Sequence, residues 1–142
     1  MKVVIVGAGI AGLSLAIGLK RQGFEPHLYE RRSRNDFAEG LFLTVTANGL
    51  RVLKELGLLD AVLEKHTYPT PRLRFLGSTG KRLGTVSNGW LDGTYPSFTI
   101  FHRDLRAALE AVAIQLGIDV TYNADLASCR WLDDRVQATF AE

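Results

Sequence analysis

Val3-Val4-Ile5-Val6-Gly7-Ala8-Gly9-Ile10-Ala11-Gly12-Leu13 decides the fold: a β-branched run, a glycine turn and the start of an apolar helix. Four consecutive β-branched residues with no polar face predict a fully buried strand. Gly7-Ala8-Gly9 breaks it, and Ala11 to Gln22 predicts a helix stopped by Gly23. Pro26-His27-Leu28-Tyr29 predicts a second short strand that ends at Glu30. Strand, turn, helix and strand within about thirty residues form the βαβ unit of a parallel sheet, so the class is α/β.

Gly7 to Gly12 reads G-x-G-x-x-G, and Glu30 follows Gly12 by 18 positions (30 − 12). The hexapeptide alone is a weak signal. A preceding strand, a following helix and an acid about 20 residues on make it a dinucleotide fingerprint. Each glycine has its own task. Gly7 allows the tight turn, Gly9 lets a pyrophosphate approach the backbone, and Gly12 lets helix and strand pack closely. The N–H groups at the helix start, around Ile10 and Ala11, offer hydrogen bonds and the positive end of the helix dipole to phosphate. Glu30 is placed to accept hydrogen bonds from the adenosine ribose. A 2′-phosphate would be repelled by it, which disfavours NADP here and leaves NAD and FAD.

The chain has 142 residues, 46% hydrophobic and 23% charged, the size of one domain spanning 1–142. Seventeen Lys and Arg against 15 Asp and Glu leave +2, no electrostatic basis for nucleic acid or an anionic membrane as a partner. The single cysteine, Cys129, cannot form an internal disulfide and has no companion metal ligands; its strand-like setting predicts a small core residue. Val3 to Leu19 carries no charge, yet it is too long for a signal-peptide apolar region and interrupted by Gly7, Gly9, Gly12 and Gly18. The expected location is cytoplasmic.

Beyond Glu30, Arg31 to Glu39 predicts a polar loop and Leu41 to Val45 a strand. Leu50, Val52, Leu53 and Leu56 recur at helical spacing up to Gly57, and Leu58 to His66 predicts a second short helix. Arg72–Leu76 and Arg82–Val86 alternate around Ser78-Thr79-Gly80 as a hairpin. Ser87 to Pro96 reads as a long loop in which Trp90 packs on its own domain, and Phe98 to Phe101 as an apolar strand. Arg103 to Leu116 predicts a helix with Leu105, Leu109, Val112 and Leu116 on one face. Asp119–Tyr122, Leu126–Leu132 and Val136–Phe140 predict strands, the last two joined at Asp133-Asp134. His27, His66 and His102 pair with no nucleophile in a recognisable motif, and Ser14 reads as a helix packing or surface residue.

The opening stretch with Tyr29-Glu30-Arg31 resembles the FAD-binding start of the single-component flavoprotein monooxygenases of the para-hydroxybenzoate hydroxylase type. Gly40-Leu41-Phe42-Leu43, Thr46-Ala47-Asn48-Gly49-Leu50 and Leu56-Gly57-Leu58-Leu59-Asp60 are similar to that family's glycine-rich segment, its PNA turn and its LGL-D helix end. His102-Arg103-Asp104-Leu105 with Leu109 is similar to its R-x-x-L-x-x-x-L helix, whose arginine reaches the flavin cofactor. The similarity runs through the chain in family order. It departs at Phe42, where the family usually has glycine, and at Ala47, where it usually has proline.

The resemblance implies a Rossmann-type parallel sheet of the glutathione-reductase-like FAD-binding fold with an attached β-hairpin layer, incomplete at the C-terminus. It implies FAD as cofactor, NAD(P)H as a transient reductant, and hydroxylation of an aromatic or similar small organic substrate with O2. The implied cofactor residues are Gly7, Gly9, Ile10, Ala11, Gly12, Glu30, Arg31, Gly40, Leu41 and Arg103. No catalytic residue and no metal ligand is implied, because the flavin carries the chemistry. An arginine at a helix start opposes the helix dipole. Arg103 therefore calls for an anion nearby: a pyrophosphate, or a carboxylate such as Glu30 or Asp104. Because the family's later motifs lie beyond residue 142, the chain alone is expected to be inactive and to self-associate or join a C-terminal partner. Two further readings stay open: a non-catalytic FAD- or ADP-binding module, and an NAD-dependent dehydrogenase.

Overall fold

In the computed structural model, which describes residues 1–36 and 41–141, β1 (Lys2–Val6), α1 (Ile10–Arg21) and β2 (Glu25–Tyr29) form the expected βαβ unit. β1 and β2 pair in parallel from Lys2 opposite Glu25 to Val6 opposite Tyr29. β10 (Asp119–Thr121) joins the far edge of β2, also in parallel. α1 packs against both strands of the crossover. Its buried Leu13, Ala16 and Ile17, three and four positions apart, match Ile5 and Leu28 in burial. Gly23, at φ +81, turns the chain out of α1 into β2.

β1 is not buried on both faces as its sequence predicts. Ile5 is 7% exposed, whereas Val4 is 53% and Val6 52% exposed. The reason is layering: helix α1 covers only one side of the sheet, and the side chains of a strand alternate between the two. On the other side, His27 stacks on Tyr29 with ring centroids 4.6 Å apart, and Tyr29 stacks on Phe140 at 4.1 Å. Phe140 belongs to the antiparallel hairpin of β11 (Leu126–Trp131) and β12 (Val136–Phe140), the attached hairpin layer. Cys129 lies in β11 and is exposed, not in the core. The hairpin rests on the sheet near Phe140 and shows most of its length to solvent, as does Trp131 at 86%.

The chain divides into two compact units, Met1–Glu39 with Leu109–Glu142, and Gly40–Ala108. The second is built on an antiparallel sheet in the order β3 (Phe42–Val45), β9 (Phe98–Phe101) and β4 (Thr67–Pro69). Val45, Phe98 and Ile100 are buried, as are Leu50 and Leu53 of α2 (Ala47–Glu55) and Leu59 and Val62 of α3 (Leu59–Leu63). α3 ends at Leu63, short of the predicted His66, because Thr67–Pro69 is taken up as β4. The predicted hairpin is present as β5 (Arg72–Leu76) and β6 (Arg82–Ser87).

The segment predicted as a long loop contains a small ladder, β7 (Trp90–Leu91) with β8 (Tyr95–Pro96). Asp92 and Gly93 turn it at φ 51 and 69. Leu91, 2% exposed, anchors the ladder, while Trp90 is 49% exposed. α4 (His102–Gln115) completes the elements, with Leu105, Ala108, Leu109 and Ala113 buried.

Candidate functional site

The fingerprint glycines have three different geometries in the first unit. Gly7 stands at φ +100, a region that favours glycine, and its N–H donates to the Tyr29 carbonyl at 2.7 Å. A Cβ at Gly12 would lie 2.0 Å from the Gly7 carbonyl oxygen, so only glycine permits the approach of α1 to the turn. A Cβ at Gly9 would meet nothing within 4 Å. Gly9 is the N-cap of α1, with no side-chain cap and no acid in the first turn. The N–H groups at Ile10 and Ala11 thus begin a helix whose positive end is unblocked by any side chain of the turn.

Glu30 is 7% exposed. Its Oε2 accepts the Ala8 N–H at 2.8 Å and its Oε1 accepts the Arg32 N–H at 3.0 Å. A carboxylate has about four acceptor positions, so capacity for ribose hydroxyls remains. The backbone of Glu30 is fixed as well. Its N–H donates to Thr121 at 2.8 Å, and its carbonyl accepts the Ala124 N–H at 2.9 Å. The sequence points to Glu30; its tie to the middle residue of the glycine turn becomes visible only in the structure.

Next to Glu30 opens a cavity of about 170 Å³, lined by Gly7, Tyr29, Glu30, Arg31, Ala124 and Asp125 among others. The Ala124–Leu126 wall of this cavity carries no motif in the sequence. Asn123 bends it at φ 56 and donates its N–H to the Arg32 carbonyl at 3.2 Å. An asparagine directly after a short strand is the one available signal, since asparagine tolerates the left-handed conformation. Behind the Arg31–Asp36 stretch, Arg34 reaches Glu110 of α4 at 3.4 Å, and the Tyr122 hydroxyl donates to the same carboxylate.

Seven expected residues therefore meet in the first unit: Gly7, Gly9, Ile10, Ala11, Gly12, Glu30 and Arg31. Leu41 and Arg103 belong to the second unit, and Gly40 lies outside the described residues. The Leu41 carbonyl accepts the His102 N–H at 2.9 Å. Arg103 has the nearby carboxylate its helix position calls for, with Nε 3.6 Å from Asp104 Oδ1. Its guanidinium also lies 5.0 Å from the centroid of the Phe101 ring. No cluster of three or more metal-ligating side chains occurs among the described residues. No helix among them is long and apolar enough to cross a membrane.

Comparison with known proteins agrees with this geometry. Residues 1–142 match the family described as "FAD binding domain". The chain is 36% identical over 135 residues to the FAD-dependent monooxygenase OpS4 of Beauveria bassiana, covering 90% of this chain and 31% of that protein. It is 30% identical over 138 residues to 3-amino-4-hydroxybenzoate 2-monooxygenase of Streptomyces cremeus, covering 82% of this chain and 31% of that protein. The crystal structure of 2-methyl-3-hydroxypyridine-5-carboxylic acid oxygenase superposes with a TM-score of 0.76 at 28% identity, over 96% of this chain and 37% of that one. The chain thus spans about a third of the length of these relatives.

Of the two dinucleotides left open by the Glu30 carboxylate, these relatives select one. The unblocked helix start, the open space at Gly9 and the buried acid at the end of β2 fit its ADP half. The chain belongs to the FAD binding domain family found in FAD-dependent monooxygenases, and its cofactor is FAD.

Proposed function

We propose that the chain is the FAD-binding portion of a monooxygenase that hydroxylates an aromatic or similar small organic substrate. The balanced reaction is substrate–H + O2 + NAD(P)H + H⁺ → substrate–OH + H2O + NAD(P)⁺. FAD, when bound, supplies the redox chemistry of this reaction. The residues of this chain bind and orient. The first turn of α1, at Ile10, Ala11 and Gly12, holds the pyrophosphate through backbone N–H groups, and Gly9 leaves the space for it. Glu30 accepts from the ribose hydroxyls, with Arg31 at the side of the same cavity. Leu41, Gly40 and Arg103 are assigned to the flavin half on the family resemblance alone.

The observation that carries this reading is the pairing of an uncapped helix start with a buried carboxylate hydrogen-bonded to the same turn. Titration calorimetry of the purified chain with ADP and with FAD tests it. Saturable binding of both supports it, and absence of ADP binding removes the fingerprint from function. NAD(P)H consumption with O2 and substrate then separates a turning-over enzyme from a binding module that needs further protein.

A further inference from the structure

We propose that Glu110 is a positioning residue for nucleotide binding: it holds Arg34 and Tyr122 together and so fixes the loop whose backbone sets the Glu30 carboxylate. The proposal rests on the placement of the ribose at Glu30 argued above and extends it to a residue of α4 that acts through others. Glu30, Arg34, Glu110 and Tyr122 all belong to the first unit.

Three segments converge on one carboxylate. Arg34, from the stretch that follows β2, brings its Nε to 3.4 Å from Glu110 Oε1, and the Tyr122 hydroxyl donates to the same oxygen. The neighbours of Tyr122 hold the Glu30 segment by its backbone. Thr121 accepts the Glu30 N–H at 2.8 Å, and Asn123 donates its N–H to the Arg32 carbonyl at 3.2 Å. Arg32 in turn donates its own N–H to Glu30 Oε1 at 3.0 Å. A turn closed by the Ser33 N–H on the Asp36 carboxylate, at 3.0 Å, encloses Arg34. Contacts thus run from Glu110 through Arg34 and the adjoining backbone to the carboxylate proposed for the ribose. With Arg34 released, the N–H that orients Glu30 Oε1 loses its outer tether.

The two partners differ in exposure, and the difference separates positioning from stability. The Glu110 side chain is 12% exposed and that of Arg34 62%. A carboxylate mostly out of water requires partners for its charge, which accounts for two donors on one oxygen. An ion pair to so exposed an arginine adds little to global stability. What the pair restricts is the loop. Without it the arginine regains rotamers and the backbone regains alternatives, so binding must order them again and affinity falls.

Calorimetric titration of the whole chain with ADP tests this, beside thermal melting. Arg34→Ala is expected to weaken ADP by about threefold to tenfold, as for one member of a coupled network, with a melting temperature close to wild type. Arg34→Lys, which keeps the charge, is expected to recover part of the affinity. Glu110→Gln removes the charge but keeps an acceptor for the Tyr122 hydroxyl, and should weaken ADP by the same factor as Arg34→Ala. The double variant should bind no worse than either single one, because both break the same link. Should Glu110→Gln fail to fold, Tyr122→Phe takes its place in this cycle. Additive losses would give the residues separate roles and overturn the proposal. Wild-type ADP affinity in Arg34→Ala, whatever its melting temperature, would also overturn it and leave the nucleotide site standing. No ADP binding by the wild type overturns both readings together.

Discussion

The Ala8 N–H donates to the Glu30 carboxylate at 2.8 Å, across 22 positions of sequence. The acid proposed for the ribose therefore also holds the glycine turn, and its second oxygen holds the chain at Arg32. Binding and local structure are coupled through one side chain.

Glu30→Ala should therefore cost both stability and affinity. Loss of the acceptor for a buried N–H costs about 1–3 kcal/mol of folding free energy, and loss of a charged hydrogen bond to the ribose about 1.5–3 kcal/mol of binding. Glu30→Gln retains one acceptor oxygen but sets an amide N–H₂ against the other backbone donor, and should fall between. Urea unfolding and ADP titration measure the two effects. Affinity unchanged in Glu30→Ala would take the residue out of the ribose site.

Two glycines of the fingerprint should differ in what their substitution does to stability. Gly12→Ala puts a Cβ 2.0 Å from a backbone oxygen, so α1 must move off the turn. Overpacking of this kind costs about 1–3 kcal/mol or more, and the melting temperature should fall with binding. Gly9→Ala meets open space at φ −79 and should melt like wild type while losing FAD affinity, because its methyl group enters the phosphate approach. If Gly9→Ala binds FAD normally, the pyrophosphate does not sit at this turn.

The βαβ unit was legible because three local signals agree there: the β-branched run Val3–Val6, the glycines 7, 9 and 12, and an acid at the end of the next strand. Burial was legible only where one layer decides it. Val4, Val6 and Cys129 are exposed because of what covers each sheet face, and that depends on elements remote in sequence. The Asp92-Gly93 turn carried its own signal, since Asp-Gly favours positive φ at both positions. The flanking strands have only two residues each, too short for an alternating pattern to show in the sequence. Ala124–Leu126 had no motif. Its place beside Glu30 follows from the parallel pairing of β10 with β2, a long-range contact.

Lys54 and Asp92 pair at 2.6 Å, joining α2 to the β7–β8 turn. The hydrogen bond, then the opposite charge, holds the Asp92 carboxyl below its ordinary value of 3.8 and the Lys54 ammonium above 10.5. The depressed carboxyl contributes stability that is present above 3.8 and lost as pH falls through the lower folded value. The raised ammonium contributes stability present below 10.5 and lost as pH rises through the higher one. Asp92→Asn keeps a residue tolerant of positive φ and removes the charge. It should be less stable than wild type at pH 7, with the difference shrinking in acid and in high salt. A difference independent of pH would assign the effect to the turn and not to the pair.

Arg103 offers the sharpest separation of the two halves of the cofactor. Its contacts with Asp104 at 3.6 Å and with the Phe101 ring at 5.0 Å are partly exposed and worth about 1 kcal/mol or less each. If the guanidinium also serves the flavin half, Arg103→Ala should weaken FAD markedly while leaving ADP close to wild type. Arg31→Ala, beside the adenosine cavity, should have a smaller effect on FAD than Arg103→Ala and should weaken ADP and FAD alike. Arg103→Lys keeps the charge but loses the planar group that lies over Phe101, so partial retention of FAD affinity would mark a charge contribution. Paired ADP and FAD titrations of the three variants decide it. An Arg103→Ala protein with a lowered melting temperature and wild-type FAD affinity would reduce Arg103 to a structural role.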